Sequence, residues 1–199
     1  MSNRFYTIAR AIVRVLFMIF SPIRVTGAEN IPQDGSAILA ANHKSLMDPI
    51  KIVCAVDRQV NFMAKKELFD IWGLRSMLKA LGAFPVDRSG SDFSSVKLAI
   101  SILNEGRLFG IFPQGKREFK GGKEFKNGVS LIAAKSAAPV IPVYIDRRTG
   151  FFRATRIAFG KSVPLGDILK RPTSAALSEA TSAIEKAVYA LAKTDAAPK

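Results

Sequence analysis

Short apolar runs separated by helical patterns are the feature that most narrows what this chain can fold into. Runs of β type cover residues 36–41, 60–64, 83–86, 107–112, 140–145 and 155–159. Between them, residues 49–56, 71–80, 93–104 and 129–137 carry helical periodicity. Strands alternating with helices make an α/β domain, so the order predicts a mixed, largely parallel sheet flanked by helices. Pro172, Thr173 and Ser174 supply breaker and cap for a last amphipathic helix, with Leu177, Ile184, Val188 and Leu191 in one stripe. With 199 residues, 48% of them hydrophobic, the chain has enough apolar matter for one sizeable core.

The N-terminal stretch is set apart by its chemistry. Residues 5–20 are mostly apolar, with Phe5, Ile8, Ile12, Leu16 and Ile19 at helical spacing, and Ser21 and Pro22 end the run. As a helix, 16 residues reach about 24 Å, short of a hydrocarbon core of about 30 Å. Arg10 and Arg14 interrupt it one turn apart, and up to Gly27 there is no acidic residue. A secretory signal needs an uninterrupted apolar stretch and a small-residue cleavage site, which this stretch lacks. The pattern predicts an amphipathic helix over residues 1–22 lying in a membrane interface, arginines toward lipid phosphates, ahead of an α/β domain over 23–199. A helix packed on the domain is the plain alternative.

Charge points to the partner class. Thirty basic residues against 16 acidic ones leave the chain at +14, which calls for nucleic acid, an anionic membrane surface or phosphorylated substrates. Arg147, Arg148, Arg153 and Arg156 cluster near Phe151 and Phe152, yet no nucleic-acid motif accompanies them, so nucleic acid is not the expected partner. Cys54 is the sole cysteine and sits in an apolar run. An intrachain disulfide is therefore impossible, a zinc cluster is not expected, and Cys54 reads as a buried core thiol.

His43 is the sole histidine, the one side chain whose unperturbed pKa suits acid/base work near neutrality. It follows the apolar run 37–40 within Asn42-His43-Lys44-Ser45-Leu46-Met47-Asp48-Pro49. Five residues separate His43 from Asp48, which on a helix puts them on different faces, so they meet only across a turn. Asp48 before Pro49 also reads as a helix N-cap, and the two roles are compatible because a carboxylate has two oxygens. A hydrogen-bonded structural histidine remains the plain reading of His43 alone. Arg88 ends the run 82–88, where loops after strands collect ligand-binding groups. Phe112-Pro113-Gln114-Gly115-Lys116-Arg117 places two cations and a glycine after another apolar run. Pro139 and Pro142 frame a further short strand.

In order, these blocks resemble those of the glycerophosphate and lysophospholipid acyltransferase family, in its lysophosphatidate-acylating branch. Asn42, His43 and Asp48 form the Asn-His-x4-Asp block, residues 82–88 the second, 112–117 the third, resembling Phe-Pro-Glu-Gly-x-Arg, and 140–143 the fourth. The likeness spans about residues 24–145. It implies direct transfer of a fatty acyl group from a thioester, acyl-CoA or acyl carrier protein, to the sn-2 hydroxyl of 1-acyl-glycerol-3-phosphate. His43 would be the general base, Asp48 its orienting partner, and Arg88, Gln114, Gly115, Lys116 and Arg117 the acceptor site. No cofactor or metal is implied, and Ser45 reads as a turn residue rather than a nucleophile. Such substrates place the protein as peripheral or monotopic at the cytoplasmic face of the cell membrane. The chain departs from the pattern at Gln114, where the family carries Glu: an amide keeps the size but loses the charge and gains two donors. That departure bears on the acceptor and on activity, leaving two alternatives: another lysophospholipid acceptor, or a catalytically silent peripheral membrane protein with the same fold.

Overall fold

The computed structural model describes residues 6–8, 10, 11, 15, 22–86, 93–115, 124–146 and 154–193. Seven strands form one sheet: β1 (Ile23–Thr26), β2 (Ala37–Ala41), β3 (Val60–Lys65), β4 (Ala83–Val86), β5 (Leu108–Ile111), β6 (Val140–Asp146) and β7 (Thr155–Phe159). Their order across the sheet is β1-β7-β6-β2-β5-β3-β4. Every neighbouring pair is parallel except β6 with β7, so the expected mixed, largely parallel sheet is what forms. The helices are α1 (Asp48–Ala55), α2 (Leu74–Ala80), α3 (Phe93–Asn104), α4 (Gly128–Ser136) and α5 (Ser174–Ala190).

The central strand shows why the sheet is parallel and covered. All five residues of β2 are buried, as a strand with helices on both faces requires. Ala37, Leu39 and Ala41 join one apolar cluster with Ile52 and Val53 of α1. Ile38 and Ala40 join another with Ala99 and Leu103 of α3, Val129 and Ile132 of α4, and Ile184 and Val188 of α5. Side chains alternate along a strand, so each cluster takes every second residue. Thr173 caps α5, its hydroxyl accepting from the Ala176 N–H at 3.2 Å.

Several boundaries differ from the sequence reading, each for a local reason. Helical spacing begins at residue 71, but α2 starts at Leu74 because Gly73 holds φ at +79°, a conformation a helix does not use. α4 stops at Ser136 because Ala137 turns left-handed. β1 has no counterpart among the expected strands; its residues run from half-buried to exposed, so no alternation marks it, and only pairing with β7 makes it a strand.

The N-terminal segment also departs from expectation where it is described. Tyr6 is buried in the first apolar cluster, its hydroxyl donates to the Arg58 carbonyl at 3.5 Å, and burial pushes its pKa above the ordinary tyrosine value. Arg10, expected to face lipid phosphates, instead donates to the Val56 carbonyl at 2.6 Å and pairs with Asp57 at 3.4 Å. A guanidinium has five donors, and two acceptors on the domain surface claim this one. Arg14 lies outside the described residues. Among those residues no helix is long and apolar enough to cross a membrane.

Gly110 in β5 lies against the aromatic ring of Phe62. A Cβ there would stand 2.1 Å from the ring's Cε1, so Gly110→Ala forces Phe62 aside. Overpacking of this kind costs about 1–3 kcal/mol, and thermal denaturation should show a loss of about 2–4 °C in Tm per kcal/mol at this chain length.

Candidate functional site

β2 and β5 are neighbours whose following segments leave for opposite faces of the sheet. From β2 the chain passes through α1 in one cluster to β3; from β5 it passes through α4 in the other cluster to β6. In open α/β sheets, the carboxyl ends of strands at such a point form the crevice that takes ligands. His43 follows β2 and Gln114 follows β5, so the two sequence blocks meet here.

The turn carrying His43 is fixed from below. Asn42 is fully buried and pairs with Ile145 of β6 as a backbone residue would, its Nδ2 donating to the carbonyl at 3.0 Å and its Oδ1 accepting the N–H at 2.7 Å. This side chain extends the β2–β6 ladder one step while the backbone is released to turn. His43 then donates its backbone N–H to Gln114 Oε1 at 2.7 Å. Its ring stacks on Phe112, with centroids 4.1 Å apart and planes 24° apart, and Phe112 stacks in turn on Phe62 at 5.7 Å.

Asp48 meets His43 across the turn, with Oδ2 3.0 Å from Nδ1. The same Oδ2 accepts the backbone N–H groups of Lys44 at 2.7 Å and Ser45 at 2.6 Å. This corrects the expectation in two respects. The bonds gather on one oxygen instead of being shared between two, and Asp48 does not cap its own helix: it is the first residue of α1, with Met47 at the N-cap position and Pro49 in the first turn. The carboxylate therefore ties the loop before the helix and the imidazole together. Ionised, it is acceptor-only, so Nδ1 carries the ring proton and the lone pair lies on Nε2. The Ser45 hydroxyl accepts from the Met47 N–H at 3.3 Å, a turn contact.

Gln114 is 3% exposed and faces inward. Besides accepting from His43, its Nε2 donates to the Tyr189 hydroxyl at 3.1 Å, which links the site to α5. Gly115 is left-handed at φ +70°. Where its Cβ would stand, Lys126 Nζ is 3.5 Å away, so an ammonium group lies against this turn. Lys44 spans 5.6 Å from its Nζ to the ring centre of Tyr144. Sequence reasoning missed Lys126 and Tyr189 because only the fold brings them near, and it placed Lys44 in the His43 block without a role. Arg88, Lys116 and Arg117 lie outside the described residues, as do Arg147, Arg148 and Arg153 of the basic cluster. Arg156, its remaining member, donates to the Leu191 carbonyl at 2.5 Å.

A protein-family model described as Acyltransferase matches residues 22–146, from β1 to the end of β6 and so across both loops of the site. The chain belongs to the acyltransferase family. Related proteins bear one recurring name. A 1-acyl-sn-glycerol-3-phosphate acyltransferase of Bacillus subtilis is 31% identical over 185 residues, covering 90% of this chain and 92% of its own. A protein of the same name from Borreliella burgdorferi is 33% identical over 177 residues, covering 83% of this chain and 70% of its own. The crystal structure of the 1-acyl-sn-glycerophosphate acyltransferase PlsC from Thermotoga maritima superposes with a TM-score of 0.72 at 27% identity, over 99% of this chain and 80% of that one. This acyltransferase is thus an O-acyltransferase with the architecture of that enzyme. Cys54 is buried in α1, as its apolar setting predicts, and takes no place in the site.

Proposed function

We propose that this acyltransferase moves a fatty acyl group from a thioester, acyl-CoA or acyl carrier protein, to the sn-2 hydroxyl of 1-acyl-glycerol-3-phosphate, giving phosphatidate. The observation that carries the reading is the His43–Asp48 pair at 3.0 Å, held at the carboxyl ends of β2 and β5. In the proposed step the acceptor hydroxyl gives its proton to His43 Nε2 as its oxygen bonds to the thioester carbonyl carbon. The tetrahedral intermediate collapses with loss of the C–S bond, and the imidazolium returns the proton to the departing thiolate. Asp48 holds the tautomer and stabilises the imidazolium. Names carried by the relatives support the acceptor, and the +14 charge suits an anionic one.

The acceptor's phosphate requires fixed cations. Arg88, Arg117 and Lys116 are assigned to it from their sequence blocks, because guanidinium pairs phosphate in a bidentate fashion. Lys126 joins them because its ammonium group stands against Gly115. Both substrates carry lipid chains, which supports a peripheral or monotopic seat at the cytoplasmic face of the membrane.

Purified protein given lysophosphatidate in detergent, with acyl-CoA and acyl carrier protein donors in parallel, should release thiol and form phosphatidate with at least one donor. Absence of product with both donors overturns the reading in favour of a silent protein of the same fold. Gln114→Glu keeps the acceptor for the His43 N–H but adds charge, so it is expected to raise kcat or alter acceptor preference. Comparing kcat/KM across lysophospholipid head groups measures this, and identical profiles would show the position to be tolerant.

A further inference from the structure

Trp72 is the sole tryptophan of the chain and is 98% exposed. Ile71 beside it is 52% exposed, and Met77 of α2 is partly exposed. A soluble protein rarely leaves its largest apolar side chain wholly in water beside others of its kind, and such a patch marks an interaction surface. The segment is also built to stand out. Phe69 closes a short 3-10 helix, Lys66–Phe69, and is buried, so the base is anchored. Gly73 then turns at φ +79°, leaving Ile71 and Trp72 at the apex.

The surroundings identify the partner. Residues 65–79 carry four basic side chains, Lys65, Lys66, Arg75 and Lys79, against two acidic ones, Glu67 and Asp70. Lys65 is paired with Glu67 at 2.7 Å; Lys66, Arg75 and Lys79 are exposed and flank Ile71 and Trp72 in the chain. An apolar point with tryptophan at its tip and a basic rim matches the interfacial zone of an anionic bilayer, where an indole ring sits at headgroup level and cations meet phosphates. The position fits as well. The segment follows the carboxyl end of β3, the end of the sheet at which His43 follows β2, and Leu46 and Met47 of the His43 turn are exposed there too.

We propose that Ile71 and Trp72, rimmed by Lys66, Arg75 and Lys79, insert into an anionic membrane surface and turn the carboxyl end of the sheet toward the lipid. This names the docking surface for the membrane seat suggested above, and it does not depend on which acyl group or acceptor is used. A single tryptophan makes the test direct. With the full chain and phosphatidylglycerol vesicles, Trp72 emission should move to shorter wavelength and be quenched by lipids brominated on the acyl chain. Phosphatidylcholine vesicles should produce little of either effect. Trp72→Ala should lower partition into the anionic vesicles about tenfold or more, given the apolar area an indole buries, while acyl transfer to detergent-dispersed acceptor stays at the wild-type rate. Vesicle binding with unshifted, unquenched Trp72 emission overturns the proposal, as does absence of vesicle binding. A blue shift that grows with protein concentration without vesicles overturns it in favour of self-association. Docking without acyl transfer would leave this surface standing and remove the catalytic reading; transfer without docking would do the reverse.

Discussion

His43→Ala is expected to lower the rate of acyl transfer by roughly 10²–10⁴, the range a positioned general base contributes, while the protein stays folded. The ring is removed, yet the backbone N–H that donates to Gln114 Oε1 remains, and so do the Asp48 bonds to the Lys44 and Ser45 N–H groups. The turn thus keeps its ties when the imidazole is lost. What disappears is the stack on Phe112 and the Nδ1 bond to Asp48 Oδ2, a carboxylate oxygen that keeps its two backbone donors, so the loss is modest for a ring that is not the core of either apolar cluster. Turnover of lysophosphatidate in detergent gives the rate, and thermal denaturation gives the fold. Transfer near the wild-type rate in a folded variant would remove His43 from the base role.

Asp48 should show a different signature, because its one oxygen serves both the imidazole and the backbone. Asp48→Asn retains an oxygen that can take the Lys44 and Ser45 N–H groups, provided the amide nitrogen does not occupy that place. It loses the charge that fixes the His43 tautomer and stabilises the imidazolium. A fall in kcat of about 10²–10⁴ with a small change in Tm is expected, by analogy with the carboxylate of a serine-protease triad. Asp48→Ala removes all three bonds. Hydrogen bonds to charged groups contribute about 1.5–3 kcal/mol each, so several kcal/mol of stability should go with the activity. Equal Tm values for the two variants would show that the carboxylate does not hold the turn. Measuring kcat and Tm on both variants separates its two duties.

Gln114 illustrates how structure changes the question a sequence poses. In the sequence it is the place where a family glutamate is missing, and its expected role is acceptor binding. In the fold the side chain is buried, accepts from the His43 backbone and donates to Tyr189. The amide thus joins the turn that presents the base to α5, a connection spanning 75 residues between Gln114 and Tyr189. We therefore propose that it positions His43, and that its effect on the acceptor passes through that placement.

The alternation of β and helical runs was enough to predict a mixed, largely parallel sheet flanked by helices, because hydrophobic period is a local property that each segment displays by itself. The four ordered blocks were likewise legible, since the family pattern resides in contiguous residues. β1 was not, as its exposed residues carry no alternation and its strand character comes from β7. The direction of Arg10 was not legible either. Apolar and basic periodicity is the same for a helix against lipid and for one against protein, and only the Val56 carbonyl and Asp57 decide between them. The sequence by itself determined the fold class, the family and the His43–Asp48 pairing across a turn. Tertiary structure alone decided that one carboxylate oxygen takes every bond, that Asn42 completes the β6 ladder, that Lys126 stands against Gly115, and that Trp72 faces water. The last three depend on which segments the fold brings together or leaves apart, and the Asp48 bonds, though they span only three to five residues of the chain, depend on the shape of a turn that residue spacing does not record.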